Sequence, residues 1–386
     1  MASSLLPEAH REVRREARRV LQLERSDRRA AEQALASLSL EAQVAVVCEA
    51  PLAQRASILE LTPYPEAVIP LLPEAELCFT VKAVGLHDAS WILEYATQDQ
   101  IVAAVDLDSW SGLVPDVSTL DQWIAAFAEA NDSALLRATQ SLDPELIVLY
   151  LRAHAEVELK PAGDDAEDWV VPAGAQTLDG QFYLTAKRDD DDLAPLLRML
   201  HVLFQKDYWL YFRMLQGVIW ELPTELEEWA LRWRTGRLED LGFPSWDEAM
   251  RIYGFVRPEQ RAALPDKGDA LDVAEWRLPV WMSELPAPAD DAPAVFRALR
   301  ELDAEERRSF FFAFVALANK IAVADGMPLG DAETTPRAVQ KAALAVSRGL
   351  EHIARERDVA LADVLRRASL TRLFRVGASI ERSGDA

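Results

Sequence analysis

The sequence predicts an all-α fold, a superhelical repeat of short helices followed by a helical C-terminal region, with a minor β-hairpin insert. Three observations carry this expectation. Helix-start signals recur every 10 to 14 residues between Ser39 and Asp108. Apolar residues follow each start at helical spacing, and β-type alternation is confined to a short stretch near Gly180. The chain has 386 residues, half of them hydrophobic, with 11 Trp, which suffices for a large core in two or three domains or in one extended architecture. Wholesale disorder is excluded on the same grounds.

Residues 1–30 hold eight Arg against five acids and read as a basic N-terminal helix. Residues 31–157 read as a helical-repeat, or solenoid, domain. Its segments begin at Ser39, Pro51, Pro63, Pro73, His87 and Gln98, at spacings of 12, 12, 10, 14 and 11 residues. Proline is tolerated in the first helical turn, where the backbone N–H lacks a partner, and acids there suit the helix dipole. Val44, Val47 and Cys48 mark one apolar face, and Ile92, Leu93 and Ala96 another. Helices of about ten residues are unstable alone in water, so they must cover one another in stacked pairs. A helix with Leu120, Trp123, Ile124 and Phe127 on one face follows, then one opened by Asp143 and Pro144 that carries Ile147, Leu151 and His154.

Residues 158–188 read as a linker and small β insert, with strand-like character at Trp169, Val170 and Val171 and again over 181–186, and a turn at Asp179 and Gly180. Residues 189–257 form a helical, aromatic-rich domain. Asp189, Asp190, Asp191 and Asp192 precede its first helix, where the dipole favours them. Phe204, Tyr208, Tyr211 and Phe212 share one face, and Trp209 falls out of phase. Residues 258–293 are rich in Pro, Asp and Ala, with Trp276 and Trp281 expected to pin that loop region onto helices. Residues 294–378 read as C-terminal helices and 379–386 as a tail.

The short helices, closing with Gln98-Asp-Gln-Ile-Val-Ala-Ala-Val-Asp-Leu-Asp-Ser-Trp110, resemble the cytoplasmic N-terminal superhelix of MgtE-type magnesium transporters. That fold is also similar to helical modules of a flagellar motor switch protein. The likeness implies fold alone, because the chain lacks the membrane helices that move an ion. A second resemblance, to an uncharacterised bacterial family described only as a domain of unknown function, rests on four stretches. They are Leu178-Asp-Gly-Gln-Phe-Tyr-Leu-Thr185, Trp220-Glu-Leu-Pro-Thr-Glu-Leu-Glu-Glu-Trp-Ala-Leu-Arg-Trp-Arg-Thr-Gly-Arg237, Leu241-Gly-Phe-Pro-Ser-Trp-Asp-Glu-Ala249 and Leu373-Phe-Arg-Val-Gly377. It implies no catalytic residues.

Composition excludes several functions. The net charge of −23 repels phosphate backbones and argues against nucleic acid as a partner. Residues 1–30 carry +3 and 351–386 carry +1, so the acidity lies between them, at −27. The longest apolar run is nine residues where a span needs about 20, so no membrane insertion is expected. No signal-peptide pattern is present, and the two cysteines, Cys48 and Cys78, suit a reducing cytoplasm.

Nucleophile-elbow, phosphate-loop, dinucleotide-turn and zinc-site motifs are missing, and the five His are scattered, so no cofactor is expected. Asp189, Asp190, Asp191 and Asp192 are candidates for a hard cation, and so are Asp106 and Asp108, although a helix start and a helix end explain them as well. The most suggestive polar group is Arg232, Arg234 and Arg237 beside Trp229 and Trp233. It is a candidate binding site for an anionic ligand or an acidic partner patch, or a set of internal pairs with carboxylates such as Glu221, Glu225, Glu227, Glu228 and Asp240. The leading functional expectation is a noncatalytic scaffold or regulator that binds another protein. The alternatives are a divalent-cation-responsive regulator and an enzyme with an unrecognised site near residues 221–240.

Overall fold

The computed structural model describes residues 7–163, 168–188, 193–264 and 292–384. These residues are mostly helical, with two small antiparallel sheets. The four aspartates at 189–192 and most of the 258–293 region, including Trp276 and Trp281, lie outside the described residues. Contacts divide the chain into two units, Arg11–Arg237 and Leu238–Ala386.

In the first unit, α1 (Pro7–Ser26) is followed by α2 (Arg28–Ala36), whose N-terminus is capped by Asp27. Ser39 caps α3 (Leu40–Glu49), Pro51 precedes α4 (Leu52–Leu61) and Pro65 opens α5 (Pro65–Val68). Pro73 precedes α6 (Glu74–Val84), α7 follows (Ser90–Leu93), and Thr97 caps α8 (Gln98–Asp108). The starts expected at Ser39, Pro51 and Pro73 each fall on the residue before a helix. Those expected at Pro63 and His87 come two and three residues early, and each leads into only one α-helical turn. Pro70 has no N–H to continue α5, which tightens into a 3-10 turn over Ile69–Leu71. Gly85, at φ 99°, ends α6 and leaves little chain before the Thr97 cap.

The unit continues with α9 (Val117–Ala130), α10 (Asp132–Ser141), α11 (Pro144–His154), α12 (Ala194–Lys206), α13 (Tyr208–Trp220) and α14 (Pro223–Asp240), and the division between the units falls inside α14. Many of these helices pack on the next but one: α2, α4, α6, α8, α10 and α12 form one row, and α7, α9, α11 and α13 another. Short helices gain from their neighbours the burial they cannot supply alone. Ile58, Leu59, Leu77, Ile101, Trp123 and Phe127 are fully enclosed.

Charged groups sit in this interior as well. Arg55 of α4 reaches Glu76 of α6 at 2.5 Å and donates to the carbonyls of Cys48 and Ala50, tying three helices together. Thr97 and Gln100 form a reciprocal capping box, and Gln100 Nε2 also donates to the Ile69 and Leu72 carbonyls. Thr97→Ala therefore costs about 1 kcal/mol of stability, checked by denaturant titration.

Two strand pairs interrupt the helices. β1 (Trp110–Ser111) and β2 (Val114–Pro115) flank a turn at Gly112, φ 63°. β3 (Ala155–Leu159) pairs antiparallel with β4 (Phe182–Ala186). The strand expected over 181–186 is present, but its partner is not Trp169 to Val171. It is the Ala-Glu-Val-Glu-Leu run directly after α11, whose apolar and acidic residues alternate with strand period. Trp169 instead packs edge-on against Tyr183, with centroids 4.8 Å apart.

The second unit contains α15 (Trp246–Met250), α16 (Pro258–Arg261), α17 (Ala294–Ala298), α18 (Ala304–Ala324), α19 (Thr334–Arg357), α20 (Leu361–Arg367) and α21 (Leu370–Ser383). α17, α18, α20 and α21 all pack on α19. α19 and α21 approach closely at Gly349 and Gly377. A Cβ on Gly349 would lie 2.0 Å from the Leu373 carbonyl oxygen, and one on Gly377 would lie 1.9 Å from that of Ala345. Arginines hold the 251–263 segment by its carbonyls: Arg357 donates to Ala262, Arg372 to Gln260 and Ala263, and Arg382 to Tyr253. No described helix is long and apolar enough to cross a membrane.

Candidate functional site

α14 departs from the usual pattern at three positions, one arginine turned inward and two tryptophans turned outward. Leu226, Ala230 and Arg234, spaced four apart, share its buried stripe, while Trp229 and Trp233 stand 45% and 49% exposed. Apolar periodicity assigns the tryptophans to the core and the arginine to solvent. The reversal has an electrostatic cause, because carboxylates and an indole wait inside for the arginines.

Arg237 meets two carboxylates at once. Its Nε and Nη2 donate to Asp106 at 2.7 and 3.0 Å, and its Nη1 and Nη2 donate to Asp143 at 2.9 and 2.7 Å. The planar guanidinium fork fits such two-sided pairing. Arg234 lies one turn away, donates through Nε to the Asp106 carbonyl at 2.8 Å, and sets its guanidinium 4.7 Å from the Trp110 ring centroid. Asp106 is deeply buried at the end of α8, and Asp143 stands just before α11. The cluster therefore locks α14 onto the helix rows.

Burial pushes the Asp106 carboxyl up from its ordinary range, against the opposing pull of Arg237. Burial lowers Arg234 to about 10, with Asp106 resisting. For Arg237 burial also lowers, but its hydrogen bonds to Asp106 and Asp143 outweigh it and the net direction is up.

The five residues expected to form one binding group thus split between two faces. Arg234 and Arg237 are taken up by internal pairing. Trp229, Arg232 and Trp233 are brought together outside: the two indoles stack with centroids 6.0 Å apart, and the Arg232 guanidinium lies 5.2 Å from the Trp229 ring centroid. Glu221, Glu225, Glu227 and Glu228 are all exposed near the start of the helix. On the preceding helix, Trp209 and Trp220 are 77% and 57% exposed, eleven residues apart and hence on nearly the same side of α13. Tyr211 of the expected aromatic face is fully buried, whereas Tyr208 is not.

Asp106 and Asp108 do not converge on a cation site. Asp106 is held by Arg237, while Asp108 pairs with Lys82 and accepts from Trp123 Nε1 at 2.9 Å. Among the described residues no group of three or more His, Cys, Asp or Glu is placed to hold a metal. An open groove of about 560 Å³ does run past Lys82, His87, Asp108, Gln122 and Glu129. Its polar side chains pair with one another: Lys82 with Asp108, and His87 Nδ1 with Glu129 at 2.5 Å.

Sequence reasoning missed Gly236. It lies within the same exposed stripe, three residues after Trp233, and among the described residues no atom outside its own stretch of helix lies within 4 Å of where its Cβ would be. A glycine in an otherwise unbroken helix was the available signal.

No curated protein and no solved structure is significantly similar to this chain. A family model does match, over residues 32–383, which covers most of both units and the whole α14 cluster. The chain belongs to the family of unknown function DUF6178.

Proposed function

We propose that the chain is a noncatalytic helical-repeat scaffold that binds another protein through the exposed face of α14. The observation that carries this reading is the stacked, half-exposed pair Trp229 and Trp233 with Arg232 beside it. Tryptophan and arginine are the residues that most often dominate binding energy at protein interfaces, and an exposed indole loses its contact with water only when a partner covers it. The next-but-one packing of short helices supports a superhelix of the MgtE N-domain kind as the platform. Residues 31–237 carry a net charge of −21, which favours a protein over a nucleic acid as that partner. A cytoplasmic setting accords with Cys48 and Cys78, both buried and free, whose thiols burial pushes up and away from reactivity.

The test is native co-purification of the wild-type chain beside a Trp229→Ala/Trp233→Ala variant. The wild type recovers a stoichiometric partner, and the variant loses it while keeping its melting temperature. A wild type that repeatedly recovers no partner, or a variant that recovers the same one in equal amount, overturns the proposal.

A further inference from the structure

Four glycines stand in the interiors of described helices, and three have a reason inside the chain. A Cβ at Gly217 would meet Val148 at 2.9 Å, and those at Gly349 and Gly377 would strike backbone carbonyls of the facing helix. Gly236 has no such neighbour and no left-handed backbone. It weakens α14 relative to alanine and gains no packing within the described residues in return. A missing side chain permits close approach, and among the described residues no group takes up that space.

Its position says where. Gly236 is seven residues from Trp229 and three from Trp233, so all three lie along one exposed stripe, with Glu225 one turn before Trp229 and Glu228 beside it. Arg234 and Arg237 point their charge inward, which leaves Arg232 as the outward cation of that stripe against the two glutamates. The surface therefore combines aromatic rings, excess carboxylate and a gap. Arg232 already demonstrates that these rings accept a guanidinium.

We infer that the partner segment docking on α14 is basic, places Arg or Lys side chains against the Trp229 and Trp233 rings and the Glu225 and Glu228 carboxylates, and crosses the helix in close contact at Gly236. This rests on the scaffold reading above and adds the chemistry and register of the partner. Charge complementarity selects the occupant, since an acidic segment would meet Glu225 and Glu228 within a unit already far from neutral.

The test is calorimetric titration of the full chain with a synthetic Arg-Gly repeat peptide and with its Glu-Gly counterpart, at low and moderate salt. The Arg-Gly peptide binds and the Glu-Gly peptide does not. Trp229→Ala/Trp233→Ala and Glu225→Gln/Glu228→Gln each weaken binding roughly tenfold. Glu41→Gln/Glu66→Gln, the same charge change on exposed sites of other helices, leaves it unaltered. Gly236→Gln weakens binding to a similar extent while the melting temperature holds or rises, because glutamine is the better helix former. Equal loss from the Glu41/Glu66 control, no loss from the tryptophan pair, or no binding of the Arg-Gly peptide overturns the inference. Binding of the Glu-Gly peptide in a manner sensitive to Trp229 and Trp233 overturns the basic partner but leaves the scaffold reading standing.

Discussion

Replacing Gly377 with alanine lowers the stability of the Leu238–Ala386 unit by about 3 kcal/mol, at the upper end of what overpacking costs. The added methyl would lie 1.9 Å from the Ala345 carbonyl oxygen and 2.8 Å from its carbon. Neither is the end of a flexible side chain, so the whole α19–α21 contact must separate to admit it. Gly349→Ala meets the reciprocal obstacle at Leu373 and has a comparable effect. Hydrogen exchange of both variants should show protection lost along α19 and α21 and retained in α3 to α11. Gly236→Ala is the matched control: among the described residues nothing beyond its own stretch of helix lies within 4 Å of its new methyl, and stability rises by about 0.5 to 1 kcal/mol. Unchanged exchange in α19 and α21 of Gly377→Ala would show that the helices can part at little cost.

Arg237→Leu has an effect of similar size for a different reason. It strands Asp106 and Asp143, one deeply buried and one largely so, without their shared guanidinium. Breaking a buried pair from one side costs about 3–5 kcal/mol, whereas replacing all members by apolar residues can be close to neutral. The triple change Arg237→Leu, Asp106→Leu, Asp143→Leu therefore recovers most of the loss.

The pH dependence carries a sign. Burial raises the Asp106 carboxyl above its unfolded value even with Arg237 present. A carboxyl raised in the folded state holds its proton more tightly there than in the unfolded chain, so its cost to stability is absent below the unfolded value and grows as pH rises through the folded one. Without Arg237 that rise is larger. The deficit of Arg237→Leu relative to wild type accordingly shrinks as pH falls from neutrality into the carboxylate range. A deficit that stays constant or widens on acidification contradicts this account of the cluster.

Much of the helix order was legible in local chemistry. Ser39, Pro51, Pro73 and Thr97 stop or cap the chain through their own backbone and side-chain preferences, which act within a few residues. The shortness of α5 and α7 was legible only in part, since Pro70 and Gly85 were present but the distance from each stop to the next cap had to be weighed with them. β3 straddles the boundary expected between residues 157 and 158, because it follows α11 without a turn, although its alternation is plain once its partner is known.

α14 was the hardest to read. The inward turn of its arginines depends on Asp106 and Asp143, which stand 131 and 94 residues before Arg237, and no local pattern reports them. The sequence brought Trp229, Arg232, Trp233, Arg234 and Arg237 to notice as one group. Only three-dimensional pairing separates the two arginines that hold the helix in place from the surface that remains outside. Gly236 stood within the same stretch, and its meaning emerges only by contrast with the three helix glycines that do touch a neighbour.

The most direct measurement is hydroxyl-radical footprinting of Trp229 and Trp233, comparing the purified chain with the chain in native extract. Both indoles oxidise readily in the purified chain. In extract the account predicts strong protection of the two together, with Trp123, enclosed in the interior, unreactive in both states. Equal oxidation of Trp229 and Trp233 in the two samples would mean that nothing covers α14 and would contradict the scaffold reading.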